Sequence, residues 1–251
     1  MMKRILCFCF CYLVLGGAFA QGSIEEGVKG LFVKSNVHVC LDLQTKYVWR
    51  GMEMLTENSS PVVFPSMSYS KDGLNVYVMG GYSINGFYGE VDLGISYNYK
   101  WLTVALNDYY YPTTTIAADN YFDFRKNTTG HWLEGSLTIA PEKIPVYLLL
   151  SNFFYGADKN LEGKQAYSTY VELGTHYDFF ADNSLSLAVG AALNNSCYTG
   201  YEQGFGVCNI ELKYTHIVNF SNEWTLPLNV SYIINSIREK AFVNFSTSFV
   251  F

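Results

Sequence analysis

Charge is scarce in this chain. Asp, Glu, Lys and Arg make up 15% of its 251 residues, against about 25% in a soluble domain. Basic residues are the rarer sign, 16 against 22 acidic, which gives no support for nucleic-acid binding. Cysteine is sparse beyond the start: Cys7, Cys9 and Cys11 come first, and only Cys40, Cys197 and Cys208 follow. An odd remainder argues against a disulfide framework. Long apolar runs are missing as well. Ile5 to Leu15 is too short to cross a bilayer as a helix, and no second run is long enough. Histidine occurs four times, and no pair among His38, His131, His176 and His216 has metal-ligand spacing.

The opening residues have a different character. Lys3 and Arg4 precede the apolar run, and Gly16, Gly17 and Ala18-Phe19-Ala20 close it. This is the pattern of a secretory signal peptide, residues 1–20, with cleavage expected after Ala20. Removing Lys3 and Arg4 from the 16 basic residues leaves 14 against 22 acidic, a formal charge of −8. Residues 21–35 carry little pattern and are expected to form a periplasmic lead-in.

From Val37 onward the chain alternates. Val37, Val39, Leu41, Leu43, Tyr47 and Trp49 share one parity, and His38, Asp42, Gln44, Lys46 and Arg50 share the other. Successive strand side chains point to opposite faces, so one long strand is expected here, followed by a polar loop over Gly51–Ser60. Lys71-Asp72-Gly73 marks a hairpin turn. At the far end, Ala241, Val243, Phe245, Thr247, Phe249 and Phe251 oppose Phe242, Asn244, Ser246, Ser248 and Val250. An aromatic edge strand in water would invite pairing with other chains, whereas a strand that closes a barrel in lipid meets its partner in the first strand.

About twelve such strands succeed one another, an even number, as a bacterial barrel requires. Short connections alternate with longer polar ones, the expected difference between periplasmic turns and extracellular loops. The pattern predicts an all-β fold over residues 36–251: a transmembrane antiparallel up-and-down β-barrel with both termini periplasmic. A β-sandwich also has many short strands but does not need this alternation. Two aromatic girdles are expected at the strand ends. Tyr69, Tyr97, Tyr99, Trp101, Tyr177, Tyr214, Trp224, Phe249 and Phe251 would form the periplasmic one. Tyr47, Trp49, Tyr82, Tyr110, Phe154 and Tyr167 would form the outer one.

Tyr47-Val48-Trp49-Arg50-Gly51 resembles the opening strand of the TorF-type porin family of bacterial outer-membrane barrels. The Ser-rich strand ending at Lys71-Asp72-Gly73 and the acidic strand Glu90-Val91-Asp92-Leu93 are similar to that family's next elements. Glu134, Tyr155-Gly156-Ala157-Asp158 and Tyr170-Val171-Glu172-Leu173-Gly174 suggest a branch of the family rather than its centre. The resemblance runs from about Val37 to Phe251 and implies an outer-membrane location and a channel role. It brings no catalytic residues.

The inward parity carries the ionisable groups: Asp42, Glu90, Asp92, Glu134, Glu172 and Glu211 are acidic, Lys46, Arg50 and Lys213 basic, and His176 joins them. Lys or Arg on the lipid face costs about 2–4 kcal/mol near the midplane, so charged groups belong inside. There they would line a selective constriction for small polar solutes, mildly cation-preferring from the acidic excess, or form a salt-bridged plug. A non-conducting structural or adhesive barrel, working through loops such as Pro112–Gly130, is the alternative. A lipid hydrolase would need a Ser nucleophile beside a His base, and no His here has a Ser two positions on. His176 near Glu172, and His131 near Glu134, are the pairs nearest to such chemistry. No pattern asks for a cofactor. Cys197 and Cys208, eleven residues apart across one outer loop, are open to either a disulfide or free thiols. Lipids are expected around the outer face. Phe245, Phe249 and Phe251 are expected to address the chain to the barrel-assembly machinery.

Overall fold

A computed structural model of the chain describes residues 36–56, 58–112, 120–221 and 224–251. The expected signal peptide and lead-in lie outside the described residues. Twelve strands close a single antiparallel barrel: β1 (Val37–Gln44), β4 (Val62–Lys71), β5 (Leu74–Ser83), β6 (Gly89–Tyr99), β7 (Leu102–Tyr110), β8 (His131–Ile139), β9 (Val146–Gly156), β10 (Thr169–Asp178), β11 (Asn183–Ala192), β12 (Gly206–Asn219), β13 (Thr225–Asn235) and β14 (Lys240–Val250). Two further short strands, β2 (Val48–Trp49) and β3 (Met52–Glu53), pair only with each other. The one helical turn among the described residues is a 3-10 turn at Cys197–Thr199.

Closure joins the two ends of the barrel sequence. β1 pairs with β14 through Cys40↔Val250 to Gln44↔Ser246, and with β4 through Val37↔Tyr69 to Gln44↔Val62. Each strand therefore has two neighbours, and no ladder edge is left open. Tight connections at 72–73 and 100–101 and moderate ones at 140–145, 179–182 and 220–224 share one end with the start of β1 and the end of β14. Asp72 and Gly73 both take positive φ, 50° and 86°, the backbone of the two-residue turn expected from Asp-Gly.

Burial runs opposite to that of a water-soluble domain. Leu106, Leu173 and Phe245 on the outer wall are 53%, 55% and 53% exposed, while Glu90, Asp92 and Glu134 are 0%, 0% and 1% exposed. Tyr69, Tyr97, Tyr99, Trp101, Tyr177, Tyr214, Trp224 and Phe251 stand exposed toward the short-turn end, with Phe249 half-buried among them. At the opposite end Tyr82, Phe154 and Tyr167 are exposed, but Tyr47, Trp49 and Tyr110 are not. Those three correct the expected outer girdle. Tyr110 keeps its outward parity but is covered by the rings of Tyr121 and His131, at 5.1 and 4.8 Å. Tyr47 and Trp49 are buried inside the barrel, because β1 stops at Gln44.

Candidate functional site

The long first strand expected from alternation divides in two. After Gln44 the chain leaves the wall and turns inward. Asn244 directs the turn: its side-chain carbonyl accepts from the Lys46 amide and the Thr45 hydroxyl, each at 3.0 Å. The segment then reverses at Arg50–Gly51, with φ of 49° and 78°, so that β2 and β3 form a hairpin within the barrel. Gly51 is required there. A Cβ on it would lie 1.8 Å from the Cys208 carbonyl oxygen of β12. The Asn235 side-chain amide of β13 donates to the Gly51 carbonyl at 3.0 Å. The tip is thus clamped between β12 and β13.

The hairpin brings an aromatic and cationic core to the lumen. Trp49 meets Tyr198, Tyr109 and Phe153 at ring distances of 5.7, 5.9 and 6.2 Å. Tyr47 meets Phe64 edge-on at 4.9 Å. The Arg50 guanidinium lies 4.4 Å from the Trp49 ring centroid and 4.8 Å from that of Tyr170. It donates to both Glu134 oxygens, at 2.5 and 3.1 Å, and to the Tyr198 hydroxyl at 2.6 Å. Both charges are buried, so their mutual compensation decides whether the hairpin stays in. Removing one partner of such a pair costs about 3–5 kcal/mol.

Tyr198 reaches the lumen from the loop between β11 and β12. Its 3-10 turn begins at Ser196, whose amide donates to the Thr199 hydroxyl and whose carbonyl accepts from it, each at 3.1 Å. A buried carboxylate fixes this loop to its neighbour. Asp158 accepts from the Ser168 amide and hydroxyl at 2.8 and 2.6 Å and from the Tyr201 hydroxyl at 3.2 Å. The Ser168 hydroxyl in turn accepts from the Cys197 amide at 2.9 Å.

Wall carboxylates are treated unequally. Glu172 accepts from the Tyr147 hydroxyl at 2.5 Å, from the Asn209 amide at 3.1 Å and from the Tyr170 hydroxyl. Tyr147 can lie flat against the neighbouring strand because Gly174 faces it; a Cβ there would be 2.1 Å from the ring. Glu90 accepts from the Tyr88 hydroxyl at 2.9 Å. Between the hairpin and the wall of β1 and β12–β14 lies a polar cavity of about 40 Å³, lined by Asp42, Glu211, Lys213, Asn229, Asn244 and Ser248 among others. A cavity needs at least roughly 10–15 Å³ to hold a water, so this one is large enough to be hydrated.

The residues expected in the lumen therefore fall into separate groups. Arg50 and Glu134 form the latch, although Arg50 comes from the hairpin and not from a wall strand. Lys46 is also on this segment and pairs with Glu53 at 2.6 Å and Ser59 at 2.7 Å. Asp42, Glu211 and Lys213 line the cavity. Glu90 and Asp92 are buried beside Tyr47, and Glu172 is held by its two tyrosines. His176 is half-buried toward the short-turn end of β10, and the Glu172 oxygens are already occupied, so the two form no dyad. His131 and Glu134 also separate: they lie on opposite faces of β8, with His131 against Asp108 at 2.8 Å.

The state of Cys197 and Cys208, open in the sequence, is decided. Cys197 and Cys208 are free thiols, so no disulfide joins them. Cys208 is buried in β12 with its sulfur 3.8 Å from the Gly190 carbonyl, and burial pushes the Cys197 thiol up to about 12. The described part of the Pro112–Gly130 loop turns outward rather than into the lumen. His131 is enclosed there, with Nδ1 at Asp108, Nε2 2.6 Å from the Tyr121 carbonyl and Phe124 stacked at 4.2 Å. Sequence reasoning missed Tyr198, Asn235 and Asp158. It also ran the first strand through Arg50 and began a polar loop at Gly51, although a Gly after a polar residue between apolar pairs is itself a two-residue turn signal.

No family model matches the chain, and no curated protein matches it. Solved structures do. A NanC porin structure is 10% identical, with 85% of this chain and 98% of that one covered and a TM-score of 0.46. An outer membrane channel from Pseudomonas putida F1 is 12% identical, with 89% and 97% covered and a TM-score of 0.45. The outer membrane protein OpdK from Pseudomonas aeruginosa is 12% identical, with 77% and 58% covered and a TM-score of 0.38. At these identities and scores no activity passes from those proteins to this chain.

Proposed function

We propose that this chain is an outer-membrane barrel that passes small polar solutes along the wall formed by β1 and β12–β14, with the inserted hairpin setting the size limit. The polar cavity beside the hairpin carries this reading. In a barrel whose outer wall is apolar, a polar stripe inside is the surface on which water and solute can replace each other. The hairpin fills the rest of the lumen beside this cavity, so passage of a larger solute requires the hairpin to shift. Asp42 and Glu211 line the cavity with Arg50 and Lys213, two of each sign, so a mild preference for cations would rest on the wider acidic excess of the inward-facing residues. The short-turn end, with the start of β1 and the end of β14, would face the periplasm. Phe245, Phe249 and Phe251 on the outward parity of β14 would serve recognition by the assembly machinery. The resemblance to the TorF-type family through Tyr47-Val48-Trp49-Arg50-Gly51 is in keeping with this role.

The test is conductance of the refolded barrel in planar bilayers, for the native chain and for a variant lacking residues 48–53. Small or intermittent conductance that becomes larger and steady without the hairpin supports the channel. A reversal potential showing anion selectivity would remove the cation preference. If both proteins are folded and silent, the channel is overturned. The second reading then holds, a non-conducting barrel whose outer loops do the work, and the dense aromatic interior around Trp49 favours it.

A further inference from the structure

Glu90, Asp92, Glu134 and Glu172 are the carboxyl groups around the hairpin that are no more than 2% exposed, and they do not have equal partners. Glu134 has Arg50, and Glu172 has three donors. Glu90 and Asp92 lie two residues apart on the inward face of β6 and within reach of each other. One Glu90 oxygen accepts from Tyr88. The other, with both oxygens of Asp92, closes no hydrogen bond among the described residues. The Tyr110 backbone lies against Asp92. Neither carboxyl takes part in an ion pair among the described residues.

Among the described residues, the titratable groups named beside the pair are acids and phenols. Tyr47 of the inserted segment, Tyr88 and Tyr111 lie beside Glu90. Asp108 and Tyr109 of β7 lie near Asp92. β5 presents Gly81 and Met79, and β4 presents Phe64. Two carboxylates side by side in such a pocket cannot both be ionised. Acceptor facing acceptor asks for a proton between them.

We propose that Glu90 and Asp92 form a proton-operated latch on the inserted hairpin. In the closed state one carboxyl keeps its proton and shares it with the other, and Tyr47 seals the pair against Phe64 and Tyr88 at 4.9 and 5.5 Å. Loss of that proton to water leaves two negative charges under Tyr47 among acids and phenols. Relief is hydration, which requires Tyr47 and its hairpin to move aside. The closed state holds the extra proton, so rising pH favours the released state and acidification restores the seal.

Hydrogen exchange of residues 45–56 in the refolded barrel, corrected for the intrinsic pH dependence of exchange, reads hairpin release whether or not the barrel conducts. The native chain should lose protection with rising pH, by up to about tenfold per unit for one proton. Asp92→Asn and Glu90→Gln should each flatten that dependence and keep the hairpin protected. Profiles of both variants that match the native one would overturn the latch. Protection that follows potassium or magnesium concentration at fixed pH would overturn it too, assigning the pair to a metal cation instead. Bilayer conductance separates this latch from the channel role on which its biological use rests. A pH-responsive hairpin in a silent barrel keeps the latch and discards the channel, and steady conductance with an unresponsive hairpin does the reverse.

Discussion

The Arg50 guanidinium holds both oxygens of Glu134, 84 residues further along the chain, at 2.5 and 3.1 Å. That pair ties a segment outside the wall to β8. Arg50→Ala would leave Glu134 buried and uncompensated, and should destabilise the closed hairpin by about 3–5 kcal/mol. Arg50→Met with Glu134→Leu removes both charges and should recover most of the loss. Chemical unfolding of the three proteins, with conductance alongside, checks both outcomes. Equal stability of Arg50→Ala and the native chain would show that the pair does not hold the hairpin.

Gly51 should tolerate nothing larger. Its φ of 78° and the Cys208 carbonyl 1.8 Å from an added Cβ act together. Gly51→Ala should expel the tip and raise exchange at residues 48–53 while the wall strands stay protected. Asn235→Ala, which removes only the donor to Gly51, should do the same to a smaller degree, by about 1–2 kcal/mol.

The outer loop should keep its closed form at neutral pH and loosen only in acid. Hydrogen bonds from Arg125 and Thr128 hold the Asp123 carboxyl below its ordinary value. A carboxylate lowered in the folded state contributes above its unfolded value, about 3.9, and the contribution fades as pH falls through its lower folded value. Exchange of residues 121–130 should therefore change little from pH 7 to about 4 and rise below that. Asp123→Asn should already be open at pH 7, seen as faster tryptic cleavage after Arg125.

Cys197 and Cys208 should alkylate in denaturant without reductant, because no disulfide joins them. In the folded barrel Cys197 should react slowly at pH 8. Its thiol is pushed up to about 12, and the thiolate is the reactive form. A mass shift that appears only after reduction would contradict the free state.

Replacing Phe245 or Phe251 by Ala should lower the amount of barrel in the outer membrane more than it changes the conductance of the barrels that reach it. Both rings are more than half exposed on the outer wall, and neither touches the cavity. Membrane fractionation against single-channel amplitude checks the pair of outcomes.

The barrel was legible in the chain itself. Strand side chains repeat with period two, and every strand must show one face to an apolar surrounding and the other to a polar interior, so alternation of the kind seen in Leu93, Ile95 and Tyr97 against Asp92, Gly94 and Ser96 fixes strand, face and closure together. The same rule fails at Tyr47 and Trp49. Alternation continues through them because β2 is also a strand, and nothing local distinguishes a strand in the wall from one folded inside it. Only the contacts do so: Asn244 turning the chain at Thr45, the Cys208 carbonyl beside Gly51, and Glu134 waiting for Arg50. These partners lie 84 to 199 residues away in sequence. The placement of Tyr198 is likewise set by contacts between loops of different hairpins, Asp158 and Ser168 on one and Cys197 and Tyr201 on the other. Local periodicity therefore determined the barrel. Whether its interior is open or filled depended on charge and volume matching between distant residues, which only the closed tertiary structure brings together.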